Sequence, residues 1–433
     1  MPLLGHLPAL HKDPLTFLLR CSRENGSIVP IRLPFLKVYL LTESADIERV
    51  LVTDHRNFEK PLWLRTPAVR RLLGDGLVNS DGESWKRQHN ECQPAFHPGL
   101  MEAYGLTIAR LAERSLTKWT PGETRNVQRD MARLTLEIVT ETMFGADIGD
   151  QAGEIGDAMD TVMDCFGSIY SLFGLIPLPP SLPELKAMRR LDRLVDELIA
   201  KAREASPSAC PHLLSRLAGE PKQVRDQIKT FLAAGHESSA LALTWAFLLL
   251  AQNSEVDMEL AAELRTVLDG KAPTPADIPN LPYAQAVIKE TLRLYPPLWM
   301  TGRKTLQDFE ISGRKISAGS LLLTSQWAVQ RLPRYFRNPD AFRPERWLNG
   351  ETEPLPRFAY FPFGGGPRVC IGQSFAMMES VLLLASVAQR FQLDLADNND
   401  ISPMATMTLR PRKNLRMKLV ERMPSLQSGA SLV

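Results

Sequence analysis

One ten-residue run constrains this chain more than any other: Phe363-Gly364-Gly365-Gly366-Pro367-Arg368-Val369-Cys370-Ile371-Gly372. Its three successive glycines let the backbone turn through positive φ and come close to a flat object. Beyond it, Gln373 to Phe391 repeats apolar residues at Phe375, Met378, Leu382 and Ala385, the spacing of a helix packed on a core. Cys370 therefore falls near a helix N-terminus, where unpaired N–H groups and the positive dipole end favour a thiolate. A thiolate under a flat cofactor, with Arg368 at hand for a carboxylate, points to axial ligation of haem iron. The other reading of the same residues is a buried structural cysteine after a glycine turn.

The rest of the chain bounds the setting. It has 433 residues, 44% apolar and 23% charged, with a formal net charge of +2. That near-neutral balance argues against nucleic-acid binding, which usually needs a strong basic excess. The five cysteines are odd in number and show no CxxC spacing, which fits a reduced, cytoplasmic protein better than a disulfide framework. Pro8, His11, Lys12 and Asp13 interrupt the amino terminus before any long apolar run, so neither a signal peptide nor a membrane anchor is expected. The longest uncharged stretch, Ser238 to Ser254, contains Ser, Gln and Asn and falls below the roughly 18 apolar residues of a membrane span.

Along the chain, Ile28 to Leu41 reads as two short strands with a turn at Pro34. Ser44 to Arg203 is mostly helical in pattern, broken by a proline-rich loop from Ile176 to Pro183. Gln223 to Asn253 reads as one long helix, and Tyr283 to Tyr295 as a shorter one stopped by Pro296-Pro297. Strand-like pieces follow at Phe309–Ile311 and Ser320–Thr324. Helices dominate, with strands recurring at both ends, so a single domain over residues 1–433 is expected.

Three further constellations carry chemistry. Glu290 and Arg293 share one helix face at i, i+3, and Arg346 follows in an apolar, proline-fixed setting. Buried together, the three would lock the irregular stretch before Cys370; separately, they are surface charges. Ala233-Ala234-Gly235-His236-Glu237-Ser238-Ser239 interrupts the long apolar helix with a glycine, an acid and two hydroxyls, which do not suit a dry core. It reads as a local groove where a small ligand meets the backbone and Glu237 and Ser238 handle protons. A simple helix crossing through small residues is the alternative. His236 turns to another face. Trp85 and His89 lie one helical turn apart, so indole and imidazole N–H groups can both donate to a carboxylate.

In this order, the pieces resemble the cytochrome P-450 family of haem-thiolate monooxygenases. Phe363, Gly366, Arg368, Cys370 and Gly372 fit that family's cysteine signature, Glu290, Arg293 and Arg346 its charge triad, and Ala234, Gly235, Glu237 and Ser238 its oxygen-activation groove. The resemblance implies a mainly α, single-domain prism with a small β-rich subdomain and haem b held by the Cys370 thiolate. It implies that Trp85, His89, Arg303 and Arg368 hold the propionates, and that Glu237 and Ser238 relay protons to dioxygen bound near Gly235. Two positions depart from the family's usual residues. Ser238 stands where threonine is usual, losing the methyl that restricts χ1. His89 stands where arginine is frequent, making propionate pairing pH-sensitive.

The implied reaction is hydroxylation or epoxidation of a lipophilic small molecule, a terpenoid or fatty-acyl chain, in secondary metabolism. Segments Leu62–Val78, Phe166–Phe173, Ala233-Ala234, Leu298–Thr301 and Met404–Thr406 would line the pocket. No GxGxxG follows a strand, so NAD(P)H-derived electrons must arrive through a separate ferredoxin or flavodoxin, with Lys86 and Arg87 as candidate docking charges. Competing readings are a peroxide-driven or isomerising haem-thiolate enzyme and a haem-based sensing protein.

Overall fold

The computed structural model describes residues 4–24, 26–66, 69–70, 74–164, 181–204, 213–217, 220–352, 355–396 and 401–422. It is mainly helical with small sheets. The helices that position the site are α1 (Gly82–Cys92), α2 (Pro98–Leu116), α3 (Val127–Phe144), α4 (Pro221–Gln252), α5 (Pro282–Leu294) and α6 (Gln373–Ala388). Among the described residues no helix is long and apolar enough to cross a membrane.

The long helix α4 runs through the centre of the largest apolar cluster and packs most extensively against α3, with α5 and α6 also against it. Helix α3 is set by ordinary end signals: the Asn126 side chain accepts from the N–H of Arg129 at its start, and Gly145 ends it at φ +69°. Helix α6 is buried along most of its length, including all four apolar positions expected from the sequence, Phe375, Met378, Leu382 and Ala385. It stops at Ala388, and Phe391 opens a strand instead.

Strands from both ends of the chain meet in one sheet, in the order β1 (Ile28–Leu33), β2 (Leu36–Leu41), β8 (Leu321–Thr324), β5 (Thr301–Thr305), β3 (Phe58–Glu59). The β1–β2 hairpin turns at Pro34-Phe35, pairing Leu33 with Leu36, and Phe35 takes φ +61°. β8 is buried at all four residues because it lies between β2, parallel to it, and β5, antiparallel to it. This register sets Arg303 on β5 opposite Leu322. A second sheet joins β4 (Thr124–Asn126), β12 (Arg416–Glu421) and β9 (Phe391–Leu395). Two hairpins complete the set: β6 (Phe309–Ile311) with β7 (Arg314–Ile316), and β10 (Pro403–Ala405) with β11 (Leu409–Pro411).

One boundary differs from the sequence expectation. Leu182 and Pro183 belong to a helix, Leu182–Glu204, not to the proline-rich loop. Proline in a first turn removes an N–H that has no intrahelical acceptor there anyway. Residues 176–180 of that expected loop lie outside the described residues.

Candidate active site

The cysteine loop is shaped by its backbone. Gly364 and Gly366 take φ of +73° and +71°, and the Cys370 N–H donates to the Phe363 carbonyl at 3.0 Å, closing the loop on itself. Gly366 serves packing as well as conformation. A Cβ there would stand 1.8 Å from the Leu51 carbonyl oxygen, so the close approach is to this chain's own backbone. Gly372 caps the start of α6, two residues after Cys370.

Cys370 is exposed as a residue, yet burial of its thiol raises the pKa, against which the Gly372 N–H acts.

Arginines gather beside the loop. Arg368 pairs with Asp81, and its guanidinium carbon lies 5.8 Å from the Trp85 ring centroid. Trp85 and His89 on α1 lie 5.1 Å apart, centroid to centroid. Arg303 donates to its neighbouring Gly302 carbonyl at 2.8 Å. Its pKa is lowered to about 10, by burial first and then by the charge of Arg368, while Asp81 acts the other way. Two guanidiniums and one carboxylate leave a net positive charge beside the loop, which suits an anionic ligand. Asp81 was not singled out in the sequence, although an Asp-Gly pair before a helix is a recognisable cap signal.

The helix expected to face the loop is α4. From Asp226 to Leu250 every residue is buried except Ala234, Gly235 and Ser238. Ser238 Oγ donates to the Ala234 carbonyl one turn back, at 2.7 Å. At Gly235 a Cβ would lie 2.9 Å from Val139 Cγ2, so the missing side chain also lets α4 and α3 approach, as the alternative reading of a helix crossing has it. Glu237 is buried and engages the β10–β11 hairpin. Its Oε1 accepts from Thr408 Oγ1 at 2.8 Å and from Arg410 Nε at 2.5 Å, whereas the buried Oε2 has no hydrogen-bond partner. His236 turns inward, with Nδ1 2.6 Å from the Leu232 carbonyl.

The charge triad is assembled and dry. Glu290 and Arg293 are 0% exposed and Arg346 is 1% exposed. Glu290 accepts from Arg293 Nε and NH2 (2.9 and 2.8 Å), Arg346 Nε (2.9 Å), Trp347 Nε1 (2.9 Å) and the Arg343 N–H (3.1 Å). Burial opposes its ionisation, but these donors, Arg293 foremost, hold its pKa below the usual value. Arg293 also donates to the carbonyls of Gln330, Pro339 and Ala341, tying α5 to the stretch before the cysteine loop. Gln330 is a missed partner: its amide donates to the Leu292 and Arg293 carbonyls and accepts from the Phe361 N–H.

Of the expected pocket segments, Phe166–Phe173 lies outside the described residues. Trp299 and Met300 are buried, and the Trp299 indole donates to the Thr406 carbonyl, linking two of those segments. Arg70 pairs with Asp75 at 3.2 Å.

The family model for cytochrome P-450 matches residues 1–419. The chain is 33% identical to cyclooctatin synthase of Streptomyces melanosporofaciens over 94% of its length and 92% of that protein's. It is 35% identical to cyclooctat-9-en-7-ol 5-monooxygenase of the same species, over 91% and 88%. Identity to pentalenene oxygenase of Streptomyces avermitilis is 30%, over 98% and 96%. The chain belongs to the cytochrome P-450 family and is a monooxygenase of that class. Membership implies a haem-thiolate iron, a redox partner and a lipophilic substrate. Cys370, the neighbouring Arg303 and Arg368 and the opening in α4 all fit a flat, anionic macrocycle.

Proposed function

We propose that this chain, acting as one catalytic domain, oxygenates a terpenoid with electrons from a separate ferredoxin or flavodoxin. The observation that carries the reading is the opening of an otherwise buried α4 at Ala234, Gly235 and Ser238, in a chain whose Cys370 is an exposed residue. The terpenoid assignment draws on the named products and substrates of the cyclooctatin and pentalenene relatives.

In this reading Cys370 Sγ ligates the iron of haem b, and bound haem supplies dioxygen activation and oxygen transfer to carbon. Arg303, Arg368, Trp85 and His89 hold the propionates by charge-assisted hydrogen bonds. Ser238 Oγ, released from the Ala234 carbonyl, donates into the groove. Glu237 Oε2, the oxygen not engaged by the hairpin, is the atom through which protons would pass toward Ser238. Buried apolar surface, including Ala233, Trp299 and Met300, excludes water from the substrate side. Exposed Lys86 and Arg87 on α1 offer positive charge to an acidic electron donor.

The test is spectroscopic and catalytic. Purified protein should give the ferrous-carbonyl band of thiolate-ligated haem, and a terpenoid library should yield at least one low- to high-spin shift. NAD(P)H with a ferredoxin or flavodoxin system should then give an oxygenated product. Turnover with peroxide alone, under every redox partner tried, would overturn the proposal in favour of a peroxide-driven enzyme. A stable oxygenated complex with no product would favour a sensor.

A further inference from the structure

The side chains proposed to hold the anionic edge of the cofactor are linked through one carboxylate, Asp81, which pairs with Arg368, acts through its charge on Arg303 and caps the helix carrying Trp85 and His89. Its backbone is extended, at φ −143° and ψ 171°, in the usual N-cap geometry, and its Oδ1 accepts from the Gly82 N–H at 3.0 Å. It thereby fixes the start of α1, which presents Trp85 and His89. Oδ1 also pairs with Arg368 of the cysteine loop, whose guanidinium lies against Trp85. Oδ2 accepts from the Lys60 N–H at 2.6 Å, just past β3, the strand that pairs with β5 and hence neighbours Arg303. Both partners of the ion pair are largely shielded, with side-chain exposures of 17% for Arg368 and 12% for Asp81.

Two guanidiniums in a shielded site repel each other, and that repulsion helps lower the pKa of Arg303. Asp81 is the carboxylate whose charge acts against it. We infer that Asp81 is a positioning residue for the cofactor: it caps α1, draws Arg303 and Arg368 together before any propionate arrives, and places a fixed negative charge beside them. The inference rests on the haem-thiolate reading. Its consequence is electrostatic, because a carboxylate near the ring disfavours the added electron. Neutralising Asp81 should raise the reduction potential as well as loosen cofactor retention.

Asp81→Asn and Asp81→Ser separate these roles from helix capping, since both residues cap well and neither carries charge. Measured on the holoenzyme, both should shift the ferric–ferrous potential positive. Haem should also transfer to apomyoglobin about tenfold faster, equivalent to roughly one charge-assisted hydrogen bond. Asp81→Ala should add a loss of thermal stability from the lost cap, leaving the potential near that of the Asn variant. Wild-type potential and wild-type haem transfer in both neutral variants would overturn the inference and leave Asp81 a helix cap. That outcome is distinct from failure of the haem-thiolate reading, in which the wild-type protein itself would lack the thiolate-type carbonyl band, and the inference would fall with it.

Discussion

The two walls of the site are built in opposite ways. On the cysteine side, Cys370 is fixed by a carbonyl seven residues earlier, Phe363, and by the turn at Gly364 and Gly366 between them. On the α4 side, Glu237 is fixed by Thr408 and Arg410, which lie 171 and 173 residues away on a hairpin. The ligand wall is thus encoded almost locally, while the acid's orientation depends on tertiary assembly. A change in the β10–β11 hairpin should retune proton handling without touching the ligand.

Breaking the local wall should have the largest effect. Cys370→Ala is expected to abolish the thiolate-type carbonyl band and all oxygenation; retention of that band would sink the ligand assignment.

Next in size is the triad that supports the wall. Glu290→Gln leaves Arg293 and Arg346 buried without their carboxylate and should cost about 3–5 kcal/mol, read by denaturant unfolding. The pH dependence has a definite sign. Because the folded pKa of Glu290 is lowered, its contribution is present above the unfolded carboxyl value, about 4.3, and is lost as pH falls through the folded one. The Gln variant should therefore show a shallower loss of stability below about pH 4.3.

A second buried glutamate tests the same electrostatics with the opposite sign. Glu379 on α6 is 0% exposed. Burial, opposed by Ser239, raises its pKa to about 8. A raised carboxyl pKa makes folding less favourable as pH climbs from the unfolded value toward 8. Glu379→Met should therefore stabilise the protein, more at pH 8 than at pH 5; equal effects at the two values would refute this.

On the long-range wall, Arg410→Leu should lower product formed per NAD(P)H and raise hydrogen peroxide release, with Thr408→Val doing so more weakly. Arg410→Lys should recover part of the coupling. An unchanged ratio in the Leu variant would mean that the hairpin does not govern Glu237.

The smallest effect is expected at Gly235→Ala. The new methyl meets Val139 at 2.9 Å, while the helix gains about 1 kcal/mol in propensity, so stability should change by about 1 kcal/mol or less. Val139→Ala in the same chain should relieve the contact and make the double variant more stable than the sum of the two single changes implies.

What was legible in the sequence follows this division. The Cys370 loop, the triad and the span of α4 could be read because glycine conformation, i, i+3 spacing and apolar periodicity are local properties. A helix crossing at Gly235 could be read only as an alternative, because its partner Val139 is 96 positions away. The partners of Glu237 and the junction at Asp81 were hidden for the same reason. The sequence by itself singled out Cys370 as the candidate ligand and the long helix as the one proposed to face it. Only the tertiary structure decided which charges meet, because buried ions are stabilised by partners that the fold, not the order of residues, brings within hydrogen-bond distance.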